Sequence, residues 1–68
     1  MVFYYKKRGR PLERGSVNYI EKALDAHVSE THNDNGRRWE YMISTFSDGL
    51  TKNDKRVLKD HGLVPLAA

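Results

Sequence analysis

Residues 37–48 read RRWEYMISTFSD. Trp39, Met42, Ile43 and Phe46 recur in this stretch at i, i+3, i+4 and i+7, the spacing of one face of an α-helix, and its reading decides the fold. It predicts a helix over Arg37 to Asp48, stopped at Gly49 in a left-handed conformation before Leu50. Upstream, Val17, Ile20, Leu24 and Val28, with Ala23 and His27 beside them, repeat the pattern and leave Asn18, Glu21, Lys22, Asp25 and Ser29 on the polar side. A helix from Val17 to Thr31 is expected, with Ser16 or Asn18 accepting an orphan N–H, and a turn over the polar cluster His32 to Gly36. Downstream, Thr51 and Asp54 have the spacing of a capping box, and Gly62 stands where a Schellman cap places its left-handed residue, with Leu58 and Leu63 as the accompanying apolar pair. These signals bound a third helix, Lys52 to His61, which Pro65 prevents from resuming. The aromatic start Val2 to Tyr5 favours extended structure, either as an arm packed on the helices or as a short strand beside Leu63 and Val64. The expected architecture is mainly α: an extended basic arm over 1–15, a three-helix domain over 16–62 and a tail over 63–68.

The chain has 68 residues, no cysteine, 38% hydrophobic and 31% charged residues, and a net charge of +3. That suffices for one small core, and it excludes disulfide staples, cysteine-ligated zinc and most enzymes, whose pockets need a larger body. Neither a signal-peptide pattern nor an apolar run of membrane-spanning length is present, so an intracellular, cytoplasmic protein is expected. The charge is uneven. Lys6, Lys7, Arg8, Arg10 and Arg14 face only Glu13 in the first fifteen residues, the middle is acidic to neutral, and Lys52, Lys55, Arg56 and Lys59 outweigh Asp54 and Asp60 near the end. On the third predicted helix those four cations fall at i, i+3, i+4 and i+7 and form one basic face, with Asp54, Val57, Leu58 and His61 opposite.

Lys7-Arg8-Gly9-Arg10-Pro11 resembles the core of an AT-hook, a minor-groove DNA-binding motif. The resemblance implies that Arg8 and Arg10 enter a narrow A·T groove, with Gly9 permitting close approach and Pro11 holding the backbone extended, while Lys6, Lys7 and Arg14 contact phosphates. A solvated basic tail is the alternative reading of these residues. The second and third predicted helices, with Gly49 between them, also resemble a helix-turn-helix, which implies that Lys52, Asn53, Lys55, Arg56 and Lys59 meet DNA. A ribbon-helix-helix dimer is a more distant resemblance, because Gly9, Pro11 and Gly15 intervene between the extended start and its helix. One hook alone binds weakly, so the second basic face or a homodimer would have to add to it.

Other chemistries have less support. His27 and His32 are not spaced to share a helix face, and Asn33 to Gly36 echoes a calcium loop whose first and last ligand positions fall on Thr31 and Met42. The sequence therefore predicts no catalytic residue, metal or cofactor. It predicts an accessory or regulatory DNA-binding protein, with a size and basicity that suit a phage or mobile-element product. The alternative is a protein-interaction module, a small inhibitor or adaptor docking through Phe3, Tyr4, Tyr5 and the Trp39–Tyr41 region.

Overall fold

The structure, a computed structural model, describes residues 1–34 and 37–66. The elements run β1 (Val2–Arg8), α1 (Arg14–Leu24), β2 (Ala26–Asp34), β3 (Arg38–Thr45), α2 (Lys52–Asp60) and β4 (Val64–Pro65). The four strands form one sheet in the order β2-β3-β1-β4, and β1–β3, β1–β4 and β2–β3 are all antiparallel. Each helix therefore connects two parallel strands that hold a third between them, the split βαβ arrangement. Both helices lie on one face of the sheet. The core joins Ile20 and Leu24 of α1 and Leu58 of α2 to Tyr5, Val28, Tyr41, Ile43 and Leu63. The shortest dimension, 17 Å, accommodates one sheet and one helical layer and leaves the second sheet face uncovered.

The mainly α expectation is thus corrected at two of its three helices. The stretch expected to form the second helix is strand β3, whose alternation places Tyr41, Ile43 and Thr45 in the interior and Glu40, Met42 and Ser44 toward the other face. Met42 beside Ile43 imitates a helical stripe, yet aromatic and β-branched residues suit a pleated surface, and pairing with β1 and β2 on both sides satisfies the backbone. Phe46, assigned by helical spacing to the same apolar face, is 93% exposed.

The first predicted helix also divides. Asp25 adopts a left-handed φ of 52° and ends α1, after which Ala26 begins β2. Glu21 binds across this corner: its carboxylate accepts the Val28 N–H at 2.9 Å and lies 3.4 Å from His27 Nδ1. An edge-strand N–H is thereby occupied from within the molecule. The turn expected over residues 32–36 is strand through Asp34, and residues 35–36 lie outside the described residues.

Helix α2 follows its sequence signals closely. Thr51 Oγ1 accepts the Asp54 N–H at 3.0 Å, and Asp54 Oδ2 accepts the Thr51 N–H at 3.1 Å. At its other end Gly62 has a φ of 84°, the Gly62 N–H donates to Lys59 O, and the Leu63 N–H donates to Leu58 O, the paired bonds of a Schellman cap. With β3 a strand, there is no helix-turn-helix. The extended start takes the second of its two alternatives: β1 is a central strand beside β4, and residues 2–8 belong to the sheet rather than to a free arm.

Candidate nucleic-acid interface

Register gathers the cations. β1 and β3 pair from Val2↔Ser44 to Arg8↔Arg38, so the basic end of β1 lies against the start of β3. Alternation along β1 sends Phe3, Tyr5 and Lys7 to the helix side and Val2, Tyr4, Lys6 and Arg8 to the uncovered face. From β3 that face receives Arg38, Glu40, Met42 and Ser44, and from β4 it receives Val64 opposite Lys6.

The backbone beyond Arg8 is tied down. Gly9 turns at a φ of 80°, its N–H donates to Arg37 O at 3.2 Å, and its carbonyl accepts Trp39 Nε1–H at 2.9 Å. Lys7 Nζ donates to Arg10 O at 2.6 Å, and the Lys7 side chain lies beside Gly62. The five residues that resemble an AT-hook core are therefore the last strand residues of β1 and a loop anchored to β3. Leu12 continues the anchoring: its N–H donates to the Tyr41 hydroxyl at 2.7 Å.

Lys6, Lys7, Arg8, Arg10, Arg37 and Arg38 thus occupy one end of the sheet. Arg38 pairs with Glu40 at 3.0 Å. Among the described residues no ion pair engages Lys6, Arg8, Arg10 or Arg37, while Asp34 stands in backbone register with Arg38. Arg8 and Arg38 are like charges directly opposite each other on adjacent strands, an arrangement that lowers stability by some tenths of a kcal/mol. The buried Nε of Arg38 has no hydrogen-bond partner.

The remaining candidates lie elsewhere. Arg14 opens α1 and borders a gap with Asn18, Glu21 and His27. Lys52, Asn53, Lys55, Arg56 and Lys59 are all exposed on α2, where Lys55 and Lys59 flank a groove with Tyr5, Leu63, Val64 and Pro65. The α2 cations belong to the helical layer, and Lys55 and Lys59 reach Val64 at the β4 edge, the residue that Lys6 and Arg8 border from the sheet. Sequence reasoning does not place Arg37, Arg38 and Tyr4 beside this basic cluster, where strand pairing brings them. The signal that could have found the two arginines is Asn35-Gly36 between two runs rich in β-formers, a hairpin signature that would bring residues 37–38 back toward the sheet.

Comparisons with protein-family models, curated proteins and solved structures found no match.

Burial pushes the Tyr5 hydroxyl above its ordinary range. Burial also raises Tyr41, where the Glu30 carboxylate adds to the rise and the Leu12 N–H opposes it. Both phenols face the core, and both stay neutral at physiological pH. Among the described residues no group of three or more His, Cys, Asp or Glu stands close enough to hold a metal ion. Nor is any described helix long and apolar enough to cross a membrane. The chemistry this end of the sheet offers is cationic and hydrogen-bond donating, suited to phosphate.

Proposed function

We propose that the protein binds DNA through the cationic end of its sheet, as an accessory or regulatory factor. One observation carries the reading: the in-register pair Arg8↔Arg38, flanked by Lys6, Arg10 and Arg37, gathers five cations at one end of the sheet, of which Arg38 alone is ion-paired among the described residues. A phosphate backbone relieves the repulsion among them and releases its own counterions on binding. The grip is single-sided. Arg8 and Arg10, presented from a strand end and an anchored loop, are the leading contacts, and the α2 cations are left outside the primary contact.

The test is fluorescence anisotropy with A·T-rich and G·C-rich duplexes at two salt concentrations, on the wild type and on the triple variant Arg8→Ala, Arg10→Ala, Arg37→Ala. All three side chains are exposed and without ion pairs among the described residues, so the fold should survive. The expected result is salt-dependent binding that weakens in the variant, with the salt slope reduced by about 0.9 for each phosphate that is no longer neutralised. Salt-independent or absent wild-type binding overturns the proposal.

A second reading, docking on a protein partner, rests on Phe46. Trp39, the anchor expected from sequence, packs partly against the core and donates its indole N–H to Gly9, whereas Phe46 projects at the end of β3 with exposed Met1 and Val2 near the same sheet end. An exposed aromatic of this kind is the side chain a protein interface would bury. Capture of a stoichiometric protein by the wild type and not by Phe46→Ser would favour it.

A further inference from the structure

We infer that the uncovered sheet face takes single-stranded nucleic acid, with a base stacked on Tyr4 and the backbone drawn along Lys6 and Arg8. This rests on the nucleic-acid reading above and names the form of the ligand. Tyr4 is 52% exposed on a central strand, although Phe3 and Tyr5 on either side of it turn toward the helices. Its backbone partner is Met42, which is in turn paired with Ser29 of β2, and the Tyr4 carbonyl accepts the Leu66 N–H at 3.0 Å. The ring therefore stands on an interior strand of the sheet rather than on an edge strand. Along β1, Lys6 and then Arg8 follow on the same face at intervals of about 6.8 Å. One strand thus presents an aromatic platform and then two cations in a line.

The geometry separates single strands from duplexes. Four strands at about 4.8 Å spacing measure ~14 Å across their backbones. A major groove is ~12 Å wide and admits one helix or a two-stranded ribbon, so this face cannot enter it. Bases inside a duplex stay out of reach of a ring at the centre of such a face, whereas an unstacked base can lie on it. Stacking on aromatic rings combined with phosphate contacts is the general chemistry of single-strand binding. Glu40, in register with Lys6, is ion-paired with Arg38 at 3.0 Å, and among the described residues no ion pair engages Lys6 or Arg8.

Oligo-dT, oligo-U and a duplex are titrated against the wild type, Tyr4→Ala, Tyr4→Phe and Met42→Tyr, with a thermal melt of each variant. The expected result is tighter binding of the single strands than of the duplex. Tyr4→Ala should weaken single-strand binding by roughly tenfold, Tyr4→Phe should retain it, and Tyr4→Ala should leave the duplex titration unchanged. Met42→Tyr, which sets a second ring beside the first, should tighten single-strand binding. The oligo-dT and oligo-U arms distinguish DNA from RNA. If Tyr4→Ala melts like the wild type and binds single strands equally well while the triple arginine variant loses binding, the cationic-end reading stands and the stacking inference falls. If Tyr4→Ala does not fold, Met42→Tyr without a gain overturns it. A wild type that dimerises through this face, and that Tyr4→Ala renders monomeric, also overturns it.

Discussion

At the scale of single residues, Phe46 and Tyr41 separate the strand from the helix that the periodicity suggests. A helix over residues 37–48 would bury Phe46 and turn Tyr41 outward. In the sheet Tyr41 is buried and Phe46 is 93% exposed. Phe46→Ser should therefore change unfolding free energy by no more than about 0.5 kcal/mol, whereas an inward-facing Phe would cost several. Tyr41→Phe should cost about 1–3 kcal/mol, because it leaves the part-buried Leu12 N–H without its acceptor. Urea denaturation of both variants checks the pair. The two raised phenols also fix the pH response. A group whose folded-state pKa lies above its unfolded value, 10.0 for tyrosine, contributes its stability in full below that value and loses it as pH rises through the folded one. Stability should therefore decline above about pH 10, and the decline should be shallower in Tyr5→Phe/Tyr41→Phe, read from urea midpoints across the alkaline range.

Elements differ in how much of themselves the sequence discloses. Helix α2 is readable from end to end because both stops are made by side chains and a glycine within a few residues of the boundary: Thr51 with Asp54, and Gly62 with Leu63. Thr51→Ala should cost about 0.5–2 kcal/mol, the range for removal of an N-cap, in the same urea measurement. The end of α1 is hidden because the left-handed position is filled by Asp25 and not by glycine, and because Leu24 and Val28 keep helical spacing across the break. Asp25→Gly should raise stability by up to about 1 kcal/mol by relieving a Cβ held at positive φ, and Asp25→Val should lower it by more. Strand β3 is hidden by neighbouring Met42 and Ile43. Its true period emerges only when β1 is present to pair with it, since the buried set Tyr41, Ile43 and Thr45 includes a polar residue that a hydrophobic stripe omits. For the candidate site, the basic residues 6–11 are legible as a cluster, but the arrival of Arg37 and Arg38 beside them is a consequence of strand register, which the chain specifies through long-range pairing.

For the whole molecule, register converts two modest basic segments into one concentrated pole while the α2 cations stay with the helical layer. A net charge of +3 over 68 residues would produce only weak, diffuse attraction if it were spread evenly. Concentration at one pole changes what salt does. Each phosphate neutralised contributes about 0.9 to the logarithmic salt slope on a duplex and about 0.7 on a single strand, so the slope counts the side chains engaged. Replacing Lys52, Lys55, Arg56 and Lys59 by glutamine removes more charge than the triple arginine variant does, from a helix whose four side chains are all exposed. If net charge governs binding, the lysine-face variant should be the weaker binder and show the shallower slope. If the sheet pole governs it, the lysine-face variant should keep nearly the wild-type slope, and the triple arginine variant should drop about two to three units of it. Anisotropy at several salt concentrations on both variants decides between them, and a greater drop from the helix variant would return the contact surface to α2.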